Sequence, residues 1–211
     1  EGEAPSLPPI EEWERKKVDD IEPKELIDSI LIGMPLPVIF TVRSQNEQGF
    51  FPGSEEERIE ILSMAIDAKV AWIDLELNIP EKQRKELTEK ANKNGVKVIA
   101  SEHNHDGMPS DQDIIQLVEE NQSKGDIVKF CGQCTNHHDA LQVVNAAWDL
   151  KNKELNYSIM GLSSGGDWAR LHAPLFNQNM VFATMQNEFR LSDKGLINVR
   201  DLREAWTLLE Y

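Results

Sequence analysis

The sequence predicts an α/β fold in which helices cover a parallel sheet, and three observations support this prediction. Short, nearly continuous apolar segments alternate with segments of helical periodicity along most of the chain. No glycine-rich phosphate-binding fingerprint follows any apolar segment, which disfavours a nucleotide-binding doubly wound sheet. Reactive side chains instead stand where the predicted strands end, and a barrel gathers such ends around one mouth. We therefore predict a (β/α)8 TIM-type barrel.

The elements of the barrel can be followed in order along the chain. Strands are predicted for PVIFTVR (37–43), VAWIDLEL (70–77), VKVIASEH (96–103), DIVKFCG (126–132), NYSIMGL (156–162) and MVFATM (180–185). Helices are predicted between and after them, with Ser54 and Glu57 as a capping box, Pro80 and Gly95 as start and stop, Ser110 and Asn198 as N-caps, and one helix near 138–152.

The strand count falls short of a full barrel. These are about six strands, whereas a complete barrel has eight. Residues 10–21 would add at most one poor strand, so we predict that the first βα unit is missing or degenerate. The 211 residues are enough for one core. We expect a flexible arm at 1–9 and a single barrel domain, the catalytic domain, at 10–211.

Composition narrows the choice of partners. The net charge is -15, with 37 acidic against 22 basic side chains, which argues against nucleic acid or an anionic membrane as a partner. An anionic substrate would need a positive site built locally. No apolar run approaches the roughly 20 residues of a membrane span, and no secretory leader is visible. Two cysteines do not make a disulfide scaffold, so we expect a reducing, cytoplasmic compartment.

The stretch DIVKFCGQCTNHHD at 126–139 contains both cysteines and a histidine pair. The spacing of Cys131, Cys134, His137 and His138 would suit zinc, but no second CxxC completes a structural site. A redox CxxC belongs at a helix N-terminus, whereas Cys131 ends a predicted strand. We therefore expect no metal here: Cys131 is a core residue, Cys134 a loop residue, and the two histidines begin a helix.

Lys129 lies inside the apolar part of the same stretch, on the face that Ile127 and Cys131 share. Burial disfavours the charged form of a lysine, and a neutral amine is a nucleophile toward carbonyl carbon. The alternative is a lysine paired with a buried carboxylate such as Asp74 or Glu76. From the residues alone, a Schiff-base lysine and a paired lysine stay equally open.

His103 ends the strand before that of Lys129, so the two side chains should be neighbours at the barrel mouth. Imidazole exchanges protons near neutral pH, which suits a proton shuttle beside an imine. His103 and His105 also form an HxH that suggests metal, although for His105 we expect simple solvation.

Two arginines are candidate anion clamps. Arg43 ends the first predicted strand and suits a carboxylate through bidentate bonding, but it is also spaced for a surface ion pair with Glu47. Arg170, in GGDWARLHA, is either a second clamp or a helix-surface residue.

Six segments in the same order resemble the type I 3-dehydroquinate dehydratase (3-dehydroquinase) family, from residue 37 to the C-terminus. The segments, with the site residues that the resemblance assigns, are FTVRSQNEQG (Arg43, Glu47), IDLEL, SEHNHDGMPS (His103), GDIVKF (Lys129), IMGLSSGGDWARL (Met160, Arg170) and LSDKGLI (Ser192). The resemblance implies a β/α barrel that turns 3-dehydroquinate into 3-dehydroshikimate, without cofactor or metal, in the shikimate pathway of aromatic amino acid biosynthesis. It also implies a homodimer.

The resemblance further implies a role for each site residue. Lys129 forms the Schiff base, His103 moves the proton and Glu47 orients His103. The substrate is bound by Arg43, Arg170, Ser192 and Met160.

The chain departs from the family pattern in several places. The family's first strand has no counterpart, and the register of its Glu-x-Arg clamp within 12–19 is open. Ala169 replaces a serine before Arg170, and Leu196 replaces the lid glutamine. Two other functions therefore stay open. One is a metal-dependent TIM-barrel hydrolase using His103, His105 and a modified Lys129, and the other is a non-catalytic dehydroquinate-binding module.

Overall fold

A computed structural model of the chain describes residues 17–163, 165–185 and 195–211. Five parallel strands form one sheet: β1 Ile39–Phe40, β2 Trp72–Glu76, β3 Lys97–Asn104, β4 Ile127–Cys134 and β5 Tyr157–Ser163. The helices are α1 Pro23–Gly33, α2 Glu55–Asp67, α3 Glu81–Asn94, α4 Asp111–Glu120, α5 His137–Leu150, α6 Gly166–Leu171 and α7 Val199–Leu208. Within these ranges no helix is long and apolar enough to cross a membrane.

The strands follow one another in the sheet in the order of the chain, β1 to β5, and every neighbouring pair is parallel. A doubly wound sheet reverses its strand order at a switch point, whereas a barrel keeps the order of the chain. The predicted α/β fold of the barrel class is confirmed. The described strands form five consecutive positions of such a barrel.

Several predicted helix ends are confirmed by their caps. Ser54 and Glu57 form the expected capping box at the start of α2. The side chains of Ser110 and Asn198 accept hydrogen bonds from backbone amides at the starts of α4 and α7. Gly95 ends α3 with a φ of 72°, a left-handed conformation that glycine adopts without steric cost.

Two predicted strands differ from the structure. β1 is shorter than 37–43 because the chain turns after it, and the Val42 carbonyl accepts from the Arg58 guanidinium instead of a neighbouring strand. The segment 180–185 is not a strand, and only a single bridge joins Thr184 to Asn198. Its Met180 and Phe182 carbonyls accept hydrogen bonds from side chains, so no backbone ladder forms there.

The N-terminal part also differs from expectation. Helix α1 precedes β1 and was not predicted, although Pro23 stands at its favoured first-turn position. Of the stretch 10–21, the described part forms a single 3-10 turn at Val18–Asp20 and no strand. Residues 1–16, which include the expected arm and the Glu-x-Arg clamp, lie outside the described residues.

The sheet has an apolar face and a polar face. One hydrophobic cluster joins β2 and β3 to α2 and α3, and includes Ile73, Leu75 and Val98. A second cluster joins β4 and β5 to α4 and α5, and includes Phe130 and Ile159. Because side chains alternate along a strand, the residues between these positions point away from the helices. Those residues build the site described next.

The two cysteines are both free and buried. Cys131 is a core residue, as predicted. Cys134 is the last residue of β4 and not a loop residue, because β4 extends two residues beyond the predicted strand. His137 and His138 begin α5, as predicted, behind the N-cap Asn136.

Candidate active site

Strand register places the reactive side chains in two adjacent layers on the polar face of the sheet. The first layer, read from β2 to β5, consists of Glu76, Ser101, Lys129 and Ser158. The second layer, read from β3 to β5, consists of His103, Cys131 and Met160. The second layer lies one side-chain step closer to the carboxyl ends of the strands. Residues that are far apart in the chain therefore meet because their strands pair in this register.

Lys129 is almost fully buried, with 4% of its surface exposed. Its Nζ lies 2.6 Å from Nε2 of His103 and 5.0 Å from the ring centroid of Phe182. Among the described residues, Asp74 and Glu76 pair with Arg43 and not with Lys129. The amine therefore faces an imidazole and an aromatic ring, an arrangement that favours the nucleophile over the alternative of a carboxylate-paired lysine.

His103 connects the amine to a carboxylate. Its Nδ1 lies 2.7 Å from Oε2 of Glu47, while Nε2 faces Lys129. With Nδ1 protonated and donating to the carboxylate, Nε2 is the nitrogen that exchanges a proton with the amine. His105 is not simply solvated: its ring nitrogen lies 3.2 Å from the Glu47 carbonyl, and its ring stacks against His103.

Glu47 sits in a 3-10 turn, Gln45–Glu47, that follows β1. Nη1 of Arg43 donates to its carboxylate at 3.1 Å, and so does the Asn78 amide at 3.1 Å. Burial, with the neighbouring Glu76 carboxylate adding to it, raises the pKa of Glu47 to about 7. The carboxyl that holds His103 therefore changes charge close to neutral pH.

Arg43 is the centre of a buried charge network. Its Nη2 lies 2.9 Å from Asp74, and its Nη1 lies 2.8 Å from Glu76 and 3.1 Å from the Ser101 hydroxyl. Burial alone would lower the pKa of Arg43, but Asp74, Glu76 and Glu47 together raise it. Three carboxylates therefore hold the guanidinium. One of them is Glu47, which is buried, so its ion pair with Arg43 is not the surface pair that the sequence allowed.

A second arginine in this network, Arg58, was missed by sequence reasoning. It is 2% exposed, and its Nη1 lies 3.3 Å from Oε2 of Glu76. It also forms an ion pair with Glu55 at 2.7 Å. The signal was available in the sequence, because Arg58 lies on the same helix face as the apolar Leu62 and Ile66. A charged residue in an apolar stripe marks a buried ion pair.

Met160 and Arg170 lie beside this network. Met160 is 2% exposed and pairs with Cys131 across β4 and β5. Arg170 of α6 is also 2% exposed and is not a helix-surface residue. Its Nε and Nη1 donate to four backbone carbonyls, those of Phe182, Gly161, Gly166 and Gly195. Burial lowers the pKa of Arg170. Among the described residues no hydrogen bond engages Nη2, so this nitrogen can bind a ligand without breaking one of these bonds. Ser192 lies outside the described residues.

The two thiols differ in electrostatic environment. Burial alone would raise the pKa of Cys131, but Lys129 and His103 lower it to about 6. Burial and the Asp139 carboxylate raise the pKa of Cys134 to about 11. Within the described ranges, no three His, Cys, Asp or Glu side chains are grouped so that they could hold a metal ion.

Comparison with known proteins points to one family. The family model of type I 3-dehydroquinase matches residues 16–211. A 3-dehydroquinate dehydratase of Methanococcus maripaludis strain C5 is 32% identical over 178 residues, which cover 83% of this chain and 78% of that protein. The one from Methanocaldococcus jannaschii is 28% identical over 82% of this chain and 77% of that protein.

The fold matches solved structures of enzymes with the same name. The crystal structure of the type I 3-dehydroquinate dehydratase from Clostridium difficile superimposes with a TM-score of 0.79 at 24% identity, covering 88% of this chain and 74% of that one. That protein was solved with covalently modified comenic acid.

Proposed function

The chain belongs to the type I 3-dehydroquinase family, and from this premise we propose how its residues dehydrate 3-dehydroquinate. The reaction is a lyase step of the shikimate pathway and yields 3-dehydroshikimate. The observation that supports our assignment of roles is the continuous chain from Nζ of Lys129 through the His103 ring to the Glu47 carboxylate, with contacts of 2.6 Å and 2.7 Å. We propose Lys129, His103 and Glu47 as the catalytic group.

The first step forms a covalent bond. The neutral Lys129 amine attacks the substrate ketone to form a carbinolamine. The carbinolamine oxygen takes one proton from the nitrogen and one from His103 and leaves as water, which gives a protonated imine. Nε2 of His103 is placed to accept the proton that the amine must lose before it attacks. The Phe182 ring and the burial of Lys129 keep bulk water away from the amine.

The second step eliminates water. The protonated imine withdraws electrons from the adjacent carbon, and His103 removes the proton on that carbon, so the electron pair forms an enamine. The enamine returns its electrons as the hydroxyl on the next carbon leaves, and His103 donates its proton to that hydroxyl. Hydrolysis of the resulting imine releases the product and frees Lys129.

Glu47 and the arginine network position this machinery. The Glu47 carboxylate fixes the His103 tautomer and stabilises the imidazolium that forms when His103 holds a proton. Arg43 and Asn78 in turn hold Glu47. We propose that Arg43 also orders the substrate hydroxyls at the mouth.

The substrate is an anion, so its carboxylate needs a cation. We propose that Arg170 binds it through Nη2, that Met160 packs against the ring, and that Ser192 also binds the substrate, as the family resemblance implies. Two observations support this role. Arg170 and Met160 lie on the same side of the sheet as Lys129, near the end of its strands. The sequence segments of both residues also resemble those of the family.

Borohydride trapping tests the proposal. The protein is incubated with 3-dehydroquinate, reduced with borohydride and weighed by mass spectrometry. We expect one stable adduct on Lys129, none in Lys129→Ala, and an unchanged adduct in Lys97→Ala, a control lysine exposed at the start of β3. His103→Ala should still form the adduct but lose turnover by at least about a hundredfold. An unmodified wild-type mass would remove the Schiff-base mechanism.

The rival functions receive no support from this geometry. Both ring nitrogens of His103 are engaged by Glu47 and Lys129, so this histidine is not free to bind a metal as the hydrolase would require. The binding-module hypothesis predicts an adduct without product, so the same incubation followed by absorbance of the conjugated product separates it from the enzyme.

The proposal extends to the cellular location of the protein and to its assembly. We propose a reducing, cytoplasmic compartment, which the free thiols of Cys131 and Cys134 support. Nucleic acid is not an expected partner, because the chain carries a net charge of -15. The homodimer implied by the family resemblance stays a prediction that sedimentation of the purified protein can test.

A further inference from the structure

A cavity lies on the opposite side of the sheet from the active site, beside α3. Its volume is about 620 Å³, and it is bordered by α3 and by the turn after α4. Helix α2 packs on α3, and α4 packs on α5, but α3 and α4 share few contacts. The cavity occupies the space between them and is large enough for a small metabolite.

Arg84 lines this cavity and has an incompletely satisfied guanidinium. The residue is 7% exposed, and its Nη2 donates to the Lys124 carbonyl at 2.7 Å. Its Nε is buried and has no hydrogen-bond partner. Among the described residues, no carboxylate forms an ion pair with Arg84, in contrast to the buried Arg58. Burial lowers the pKa of Arg84.

A buried cation without a counter-charge is costly, and native proteins satisfy the great majority of their buried donors. Among the described residues, the two other arginines buried to this degree are Arg58 and Arg170, and each donates several hydrogen bonds to carboxylates or carbonyls. Arg84 instead lines the cavity while its buried Nε is left without an acceptor. This difference indicates a missing acceptor.

The rim of the cavity adds more positive charge. Lys85 and Lys124 line it and are exposed, and the Ser123 side chain lines it as well. Two acids, Glu81 and Glu89, also border it, one helical turn on either side of Lys85. Within the described part of the chain, neither acid is ion-paired with a cation of the cavity. The lining residues thus include three cations and two acids, on a chain whose net charge is -15. A further acid, Glu102, lies within electrostatic reach of Lys124.

We propose that this cavity binds a small oxyanion, a carboxylate or phosphate group of a metabolite, with Arg84 as its buried anchor and Lys85 and Lys124 as its rim. Planar guanidinium donors match carboxylate and phosphate oxygens, and the aligned amides at the start of α3 add to the attraction. The site is separate from the reaction, since Arg84 lies on the helix side of the sheet and Lys129 on its polar face.

Calorimetry with two probes, inorganic phosphate and malonate, tests the proposal at constant ionic strength with chloride as the reference. We expect saturable binding of at least one probe by the wild-type protein. Arg84→Gln should weaken it at least about tenfold and Lys124→Gln several-fold. Lys93→Gln, an exposed lysine later in α3 outside the cavity, should leave it unchanged. The probe that binds distinguishes a phosphate from a carboxylate ligand.

A second measurement locates the binding and does not depend on how the variants fold. The Nε–H resonance of Arg84 in the NMR spectrum of the wild-type protein should shift on titration with the binding probe. A resonance that stays fixed at saturation, or binding that Arg84→Gln retains in full, would overturn the proposal. Arg84→Gln should also keep the borohydride adduct on Lys129, so that loss of anion binding is not mistaken for loss of the active site.

Discussion

Glu47 shows how one residue links the fold to the reaction. Its carboxyl is 6% exposed, and it holds His103 on one side while Arg43 holds it on the other. Burial, with the Glu76 carboxylate adding to it, raises the pKa of Glu47 from 4.5 to about 7. A residue placed this way stabilises an imidazolium only when it is ionised.

This pKa predicts a dependence of stability on pH. Between pH 4.5 and 7 the folded protein holds a proton on Glu47 that the unfolded chain has already lost. The contribution of Glu47 to stability is therefore complete below pH 4.5 and is lost as the pH rises through 7. Urea unfolding of wild type and Glu47→Gln across this window measures it, because the variant cannot titrate there. The free energy of unfolding of wild type should fall relative to that of the variant, and a constant difference would contradict the raised pKa.

The residues of the site differ in how well the sequence indicated them. Lys129 was indicated by its place in an apolar strand and Arg43 by its place at a strand end, whereas the role of Glu47 came from the resemblance to a family. Ser101 and Asn78, which hold the network together, carry no such signal. Their roles depend on the register of strands and on the path of a loop, and neither can be read from residue type alone.

At the scale of elements, the contact between β5 and α6 places Arg170. The two elements touch through glycines: a Cβ added to Gly166 would lie 2.4 Å from the Gly161 carbonyl oxygen. Both glycine carbonyls also accept from Nη1 of Arg170, at 2.8 Å and 2.6 Å. The two glycines therefore account both for the close approach of the two backbones and for the position of Arg170.

Gly166→Ala should push α6 away from β5. We expect a loss of about 1–3 kcal/mol in the free energy of unfolding, as for overpacking of a close contact. The KM for 3-dehydroquinate should rise more than kcat falls, because Arg170 moves while Lys129 and His103 do not. Urea unfolding and steady-state kinetics measure the two effects.

Gly33→Ala is the matched control for this substitution. Gly33 is the last residue of α1, and a Cβ added there would meet nothing within 4 Å. Alanine at this position should be neutral or slightly stabilising, by up to about 1 kcal/mol. Equal stability of Gly166→Ala and wild type would show that the glycine contact is not needed.

Elements with strong local signals were predicted well, and elements shaped by tertiary contacts were not. The caps at Ser54, Ser110 and Asn198 are local, and all three were predicted. The stretch 180–185 has the composition of a strand, but side chains of Ser158 and Arg170 take its carbonyls. Those side chains come from distant parts of the chain, so the apolar pattern alone gave the wrong structure.

At the scale of the whole molecule, the net charge is negative, but the buried carboxylates are neutralised locally by arginines. The chain carries -15, yet the carboxylates Asp74 and Glu76 of the polar face are matched by Arg43 and Arg58. Burial would raise the pKa of Asp74, but Arg43 and Lys129 lower it, so this group stays ionised. Among the described residues, this pairing leaves Lys129 and Arg170 without a carboxylate partner at the end of the sheet.

The packing predicts that the molecule unfolds as one unit. One hydrophobic cluster surrounds α2 and α3, and the other surrounds α4 and α5. They are joined by the β3–β4 ladder, which pairs residues from Ile99 with Ile127 to Asn104 with Gly132, and by the contact of His103 with Lys129. Separation of the clusters would break this ladder and expose Lys129 and His103 together. The proposed single domain at 10–211 should therefore unfold in one cooperative transition.

Two single-tryptophan variants test this expectation. One keeps Trp72 of β2 and the other keeps Trp168 of α6, which contacts His137; all other tryptophans are replaced by phenylalanine. Trp72 adjoins Ile73 of one cluster and Trp168 adjoins Ala169 of the other, so each fluorophore reports on one half of the sheet. The urea midpoint seen by fluorescence should match the midpoint from circular dichroism within each variant, because one transition exposes both clusters. Each variant is its own control, since the substitutions shift both signals equally. In the opposite outcome, the fluorescence midpoint of each variant differs from the circular dichroism midpoint of the same protein. The two halves then unfold separately, and the ladder between β3 and β4 is the weak boundary.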